Sequence, residues 1–293
     1  MRALVIGSRG NVGRPLVEYL RKEGDEVLEA DIRPGWRPGC VMADINHPLD
    51  LLPAFDWGPD VVYLMAAVVS RVTCEQAGSL AIATNLAGVN NVIQMTKRVG
   101  AKLVFFSTSE VYGPTDGEMA EEAVPRPNNR YGLTKYLGEQ LVEYEVRTHG
   151  LKAVTLRPFM FYSEDEDTGD HRSAMVRFAE HLSAGQPVDV HADTGRGWLH
   201  MDDAVDAIER ASRLPEYTVI NIGHPNIVAT EILVEMVRSH LGAYPELINV
   251  VPQPDRMTAW KRPSLERQGK LLSFEPLVSI EEGVDRVCYR FRT

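Results

Sequence analysis

The sequence predicts an α/β protein: a doubly wound parallel sheet followed by a smaller C-terminal lobe. Three observations carry this. Short apolar runs alternate with helix-compatible segments through the first half, the pattern of strand–helix–strand units on a parallel sheet. The first run, residues 3–6, leads straight into a turn with glycines at 7, 10 and 13. A polar cluster, Ser107-Thr108-Ser109-Glu110, follows another such run at residues 103–106. That is where ligands meet an open α/β sheet.

Taken in order, residues 3–6 form the first strand and Gly7, Gly10, Asn11, Val12 and Gly13 the turn after it. Glycines there keep the turn tight and let a pyrophosphate approach the amides at the start of the next helix. That helix turns Leu16, Val17 and Leu20 inward and stops at Gly24. The second strand, residues 26–30, ends in Asp31, whose carboxylate suits an adenosine ribose and repels a 2′-phosphate. NAD is therefore expected rather than NADP, although Arg33 stands two residues on. A third strand at 41–43 leads to Asp44 and Ile45, expected beside the adenine. A fourth, at 61–65, is capped by Ala66 and Ala67, small enough for a cofactor to lie against backbone. A helix over 79–99 carries Thr84 and Asn85, and the fifth strand covers 103–106. After the helix carrying Tyr131 comes a strand at 153–156, ending at Arg157-Pro158. Beyond it the spacing predicts a mobile acidic loop at 163–170, with five carboxylates in eight residues. Helices follow at 175–184, 204–211 and 230–241, with strands at 188–190 and 218–222.

The stretch from Ser107 to Lys135 carries the chemistry. Tyr131 and Lys135 are four apart in a helix-compatible segment and so share a face. A phenol with a pKa of about 10 is a poor base at neutral pH. A neighbouring ammonium and an oxidised nicotinamide both favour its phenolate. Tyr131 can then take a hydroxyl proton as hydride leaves the same carbon. Thr108 would hydrogen-bond the substrate oxygen, and Glu110, with Ser109, would serve as a second acid or base.

Composition excludes other classes. Of 293 residues, 31 are basic and 41 acidic, a net charge of −10 with no basic run, which argues against nucleic acid or an anionic membrane as partner. Three scattered cysteines, Cys40, Cys74 and Cys288, have neither disulfide nor zinc spacing, as in a reducing cytoplasm. The opening residues run into a strand rather than a signal peptide. The longest apolar run, residues 61–69, is too short to span a bilayer. His171 and His200 stand alone, so no metal is expected.

With these residues in view, the chain resembles the extended short-chain dehydrogenase/reductase family, which holds the NAD-dependent nucleotide-sugar epimerases and dehydratases. Gly7, Gly10 and Gly13 match its glycine turn, Asp31 its ribose carboxylate, and Ala66-Ala67 the pair after its fourth strand. Thr84-Asn85-Leu86-Ala87-Gly88 matches a motif on the next helix. Thr108, Tyr131 and Lys135 fall on the catalytic Ser/Thr, Tyr and Lys. The stretch 196–203 is similar to one whose arginine meets the substrate diphosphate, and 271–283 is similar to a C-terminal signature. The resemblance implies a Rossmann-type sheet over residues 1–156, joined by part of 187–222, with 157–293 forming mainly a substrate-binding lobe. It implies NAD as cofactor, held also by Ser107, Asn85 and Pro158. It implies a nucleotide-sugar substrate, a transient 4-keto sugar, and a homodimer packed through the helices near 79–99 and 129–148.

Glu110 is similar to the residue that dehydratases and decarboxylases carry there. Two departures stand out: Met160 replaces the usual asparagine, and the acidic loop replaces a Gly-Pro turn. Substrate contacts are therefore expected at Arg196 and Met160, with Arg256 supplementing the phosphate. A nucleotide-sugar decarboxylase, a simple NAD(P)-dependent ketone or alcohol reductase, and a non-enzymatic NAD(P) sensor remain alternatives. Sensors tend to lack the Tyr–Lys pair.

Overall fold

A computed structural model describes residues 1–33, 39–115, 117–169, 173–254 and 258–292. Contacts divide it into two compact units. One contains residues 1–113, 124–158 and 205–220, and the other 114–123, 159–204 and 221–293.

The first unit holds strands β1 (Arg2–Ile6), β2 (Glu26–Asp31), β3 (Cys40–Met42), β4 (Val61–Leu64), β5 (Lys102–Phe106) and β6 (Lys152–Pro158). With the strand Val219–Ile222 they make a seven-stranded sheet in the order 219–222, β6, β5, β4, β1, β2, β3. Pairings among β1–β6 are parallel. The order reverses between β1 and β4, so loops leaving those two strands diverge and open a crevice at their C-terminal ends. Residues 3–6 of β1 and all of β4 are buried, as expected of strands covered on both faces.

Helices α1 (Gly13–Lys22), α2 (Leu52–Asp56), α3 (Arg71–Gln76), α4 (Gly78–Ile82), α5 (Val89–Val99) and α6 (Arg130–His149) belong to the same unit. Leu16, Val17 and Leu20 face inward from α1. Leu4, Ile6, Phe55, Leu64, Ile93 and Phe105 are at most 1% exposed in the core between sheet and helices.

The expected single helix over 79–99 is instead α4 and α5 joined by a π-helical turn, Ala83–Gly88. Asn85 explains the interruption. Its carboxamide accepts from Val68 N at 2.9 Å and donates to Val68 O at 3.1 Å, which draws the wide turn toward the end of β4.

The second unit has its own core, with Met175, Val190, Leu233, Val237, Val284 and Cys288 fully buried. Its strands β7 (Met160–Tyr162) and β9 (Gly195–His200) pair in parallel, while β8 (Val188–His191) pairs with Ile248–Val251. Residues 114–123 join it from the first half of the sequence. Asn221 holds them there, donating from Nδ2 to Met119 O and from its amide to Glu121. Among the described residues no helix is long and apolar enough to cross a membrane.

Candidate active site

The glycine turn is shaped by close backbone approach. Gly7 has φ +90°, and a Cβ there would lie 2.7 Å from Ala66 N. A Cβ at Gly13 would lie 2.2 Å from Gly7 O. The two glycines thus let the turn press on the end of β4 and let α1 settle onto the turn. Gly10 donates from its amide to Gly7 O at 3.1 Å. Val12, at the N-cap of α1, offers no side-chain cap, and the first turn has no acidic residue. Backbone amides and the positive helix end there suit an anion. Asn11 lies within the same turn.

Asp31 is 6% exposed at the end of β2. It accepts from Arg9 N at 2.9 Å, from Arg33 N at 3.0 Å and from Arg33 Nε at 3.3 Å. A carboxylate has about four acceptor positions, and the described residues take three of them, which leaves one for a hydroxyl. Arg33, mostly exposed, folds back onto Asp31 and onto the Arg9 carbonyl. Asp44 engages Asn46, and Ile45 is buried in the first core, near enough that a Cβ on Gly88 would collide with it. Ile45 therefore supports the π turn from beneath.

The polar cluster after β5 is tightly ordered. Thr108 caps a short 3-10 turn, Ser109–Val111, accepting from Glu110 N at 3.2 Å. Ser107, Thr108, Ser109 and Glu110 are all less than a tenth exposed. The Ser107 hydroxyl has no hydrogen-bond partner among the described residues. Asn129, which sequence reasoning missed, joins this turn to α6. Its Oδ1 caps α6 at Gly132 N (2.8 Å), and its Nδ2 donates to Glu110 Oε2 at 2.7 Å. An asparagine just before a helical segment was the available signal.

Tyr131 and Lys135 follow on α6, with Lys135 2% exposed. Asn85 Nδ2 donates to Thr134 Oγ1 at 3.0 Å, and Thr134 Oγ1 donates to Tyr131 O at 2.9 Å, so the π turn steadies this helix. Burial pushes the Tyr131 phenol above its ordinary value; a hydrogen bond with Thr108 opposes this, and Glu110 and Cys74 add to it. Burial brings the Lys135 ammonium down to about 8, against the pull of Glu139 and Cys74. Its Nζ lies 4.6 Å from the centre of the Phe105 ring. The protein's own surroundings thus raise the phenol rather than lower it. Cys74 is fully buried, and it lies close enough to act on both side chains.

In the second unit, Met160 packs against the local core, and β7 pairs it with Trp198. Arg196 is 6% exposed and donates from Nη2 to Thr258 O at 2.7 Å and from Nη1 to Ala259 O. Arg256 and His171 lie outside the described residues. The described part of the acidic loop is held within its own unit. Glu164 meets His200 Nε2 at 2.7 Å, which lowers the Glu164 carboxyl from its ordinary value. Glu166 accepts from Ser173 N at 2.9 Å, and Arg290 donates to the Glu164 and Glu166 carbonyls. Among the described residues no cluster of three or more His, Cys, Asp or Glu could hold a metal ion.

The first unit thus fits a dinucleotide. It offers bare backbone at the glycine turn, an uncapped helix start, a carboxylate with acceptor capacity to spare, and a buried hydroxyl at Ser107 in need of a partner.

Comparison with known proteins agrees. Residues 3–223 match the NAD dependent epimerase/dehydratase family. UDP-glucuronic acid decarboxylase 5 of Arabidopsis thaliana is 27% identical over 307 residues, covering 100% of this chain and 89% of that protein. The Xenopus tropicalis UDP-glucuronic acid decarboxylase 1 is 25% identical, covering 99% and 72%. Among solved structures, UDP-glucose 4-epimerase of Thermus thermophilus, in complex with NAD, superposes with a TM-score of 0.91 at 26% identity, covering 100% and 99%. The seven-stranded sheet, the glycine turn and the match over residues 3–223 lead to one conclusion: the chain belongs to the NAD-dependent epimerase/dehydratase family, and it is an enzyme whose cofactor is NAD.

Proposed function

We propose that this enzyme acts on a nucleotide-diphosphate sugar through a transient 4-keto intermediate, ending in epimerisation or elimination. The observation that carries the reading is the arrangement of Thr108, Glu110 and Tyr131 around one buried turn, with Lys135 behind them on α6. The first unit is the cofactor-binding domain and the second the substrate lobe. The glycine turn and Asp31 hold the dinucleotide, with Ser107, Asn85, Ala66 and Ala67 lining its course and Pro158 closing it at the end of β6. NAD, when bound, supplies a hydride acceptor and a positive charge.

Tyr131 takes the proton from the sugar hydroxyl at its phenolic oxygen. Thr108, which acts on the Tyr131 phenol, orients that hydroxyl. Lys135 supplies an ammonium one helical turn away, favouring the phenolate. Glu110, with Ser109 beside it, moves a second proton, and Asn129 Nδ2 fixes one of its oxygens. Arg196 and Met160 belong to the substrate side, joined by Arg256.

A second reading, decarboxylation of a nucleotide-linked uronic acid, is favoured by the full-length likeness to UDP-glucuronic acid decarboxylases. In that case oxidation at C4 makes the C5 carboxylate a leaving group, and Glu110 manages the returning proton. Exposed Leu80 and Ile82 on α4 and Leu133, Leu137 and Tyr144 on α6 support a homodimer formed through these helices. Sedimentation at a protomer's mass would remove that assembly.

The test is a panel of UDP-glucose, UDP-galactose, UDP-glucuronic acid and GDP-mannose, with products read by mass spectrometry and NMR. Conversion of one of them, abolished in Tyr131→Phe while NAD binding persists, supports the reading. Turnover confined to simple alcohols, with stoichiometric consumption of cofactor, sinks it.

A further inference from the structure

Beside Lys135 the first unit buries a carboxylate that the sequence does not single out. Glu139 lies one turn beyond Lys135 on α6, and each is 2% exposed. Residues four apart on a helix share a face. The Glu139 carboxylate accepts two hydrogen bonds from Arg157, at 3.0 Å from Nε and 2.7 Å from Nη2. Arg157, 4% exposed near the end of β6, also donates from Nη1 to the Tyr112 hydroxyl at 3.0 Å and lies 4.8 Å from the centre of that ring. Tyr112 closes the 3-10 turn that Thr108 opens. A chain of buried polar groups therefore runs from Glu139, one helical turn from Lys135, through Arg157 to the turn bearing Thr108 and Glu110.

Stability alone is a weak reason for such a pair, because apolar residues of similar volume often serve as well or better. What an apolar pair cannot supply is negative charge beside an ammonium that burial tends to neutralise. Among the described residues, the groups that act on Lys135 are Glu139 on its own helix, the Phe105 ring on β5, and Cys74 on α3. The thiol is itself raised by burial and stays neutral over the working range. The ring face favours a cation modestly. Glu139 is the carboxylate of the set, and Arg157 fixes its position.

We propose that the buried Glu139–Arg157 pair is a positioning device of the active site, in which Glu139 keeps the Lys135 ammonium charged and Arg157, through Tyr112, fixes the turn that presents Thr108. The proposal rests on the reading of Tyr131 and Lys135 given above and adds two residues that never meet the substrate.

The test is kcat against pH for the wild type, Glu139→Gln, Glu139→Asp and the apolar double variant Glu139→Leu/Arg157→Met. The alkaline limb of the profile marks loss of the Lys135 proton. Without the Glu139 charge that proton leaves at lower pH, so the limb moves down by about one pH unit or more in Glu139→Gln, and in the same direction but less far in the double variant, which removes the guanidinium as well. In Glu139→Asp, which keeps the charge, it stays within a few tenths. The double variant, relieved of an unpaired buried cation, retains a thermal midpoint near the wild type. An unmoved limb in both charge-removing variants overturns the proposal. So does loss of soluble protein in both, since the pair would then serve the fold alone. An active Tyr131→Phe would instead sink the underlying reading, while an inactive Tyr131→Phe with an unmoved limb sinks only the role given to Glu139.

Discussion

Gly132 stands between Tyr131 and Lys135, and a methyl group there forces a choice on the site. A Cβ at this position would lie 2.5 Å from Glu110 O and 3.2 Å from Glu110 Cβ, where ordinary contact begins near 3.4 Å. Helix or turn must retreat by about 0.9 Å (3.4 − 2.5). Neither side yields easily. Gly132 N donates to Asn129 Oδ1 at 2.8 Å, and Glu110 N donates to Thr108 Oγ1 at 3.2 Å. Alanine gains about 0.5–1 kcal/mol over glycine within a helix, while overpacking costs about 1–3 kcal/mol. The net destabilisation is therefore roughly zero to 2.5 kcal/mol, and the protein folds. The rate suffers more, because a displacement of about 1 Å between reacting groups costs on the order of 100-fold. Gly132→Ala should thus bind NAD as the wild type does by calorimetry and lose roughly 100-fold in kcat on its nucleotide sugar. Gly269→Ala is the control. That glycine lies in the helix Glu266–Leu272 with nothing within 4 Å of an added Cβ. Its replacement should raise stability by about 0.5–1 kcal/mol and leave kcat unchanged. A Gly132→Ala enzyme within threefold of wild-type kcat would refute the tight apposition of α6 and the Glu110 turn.

Three further substitutions probe other parts of the molecule. Asn129→Ala removes the α6 cap, costing about 1 kcal/mol, and releases Glu110, so thermal midpoint and kcat both fall. Asn129→Asp should recover the midpoint but not kcat, because its second oxygen repels Glu110. Asp31→Asn weakens hydrogen bonds worth about 1.5–3 kcal/mol to a charged acceptor. NAD should then bind at least about tenfold more weakly, and discrimination against NADP should narrow by a similar factor in competitive titrations. Glu164 is held below its ordinary carboxylate value, first by its hydrogen bond with His200. Its contribution to stability is therefore complete above the unfolded value of about 4.3 and is lost as pH falls through the folded one. Thermal midpoints of the wild type should fall more steeply below about pH 4 than those of Glu164→Gln; parallel curves would show that the contact is not formed.

The sheet was readable because parallel strands buried on both faces are short apolar runs, and those runs occur where β1, β2, β4, β5 and β6 are found. The Thr108 turn and the Tyr131–Lys135 spacing were readable for a related reason, since local sequence places them at a strand end and along one helical face. Helix α6 shows the limit of that logic. Its buried side includes Thr134, Lys135, Glu139 and Glu145, so apolar periodicity does not mark which residues face inward. Glu139 looks like a solvated charge until Arg157, eighteen residues on, is seen to meet it. The second unit hides its strands differently. β9 reads Gly-Arg-Gly-Trp-Leu-His, with no alternation, yet all six residues are buried. The reach of residues 114–123 into that unit depends on Asn221, 102 positions after Met119, a separation that no local pattern records.

The energetic balance at Tyr131 and Lys135 explains why these less readable residues matter. Burial acts on both side chains in the same sense, favouring the neutral form of each, so it raises the phenol and lowers the ammonium. Burial alone would yield a neutral phenol beside an increasingly neutral amine as pH rises past about 8, a pair with little power to take a proton. The low dielectric that creates this difficulty also strengthens the fields of nearby charges. At Tyr131 the Thr108 hydrogen bond favours the phenolate, whereas Glu110 and Cys74 oppose it. In the arrangement proposed above, the electrostatic activation of the phenol is indirect: Arg157 anchors Glu139, Glu139 keeps Lys135 charged, and an ammonium one turn away favours a phenolate. A site built this way must keep carboxylate and guanidinium together in the dry interior, because either one alone would be a buried charge without its counter-charge.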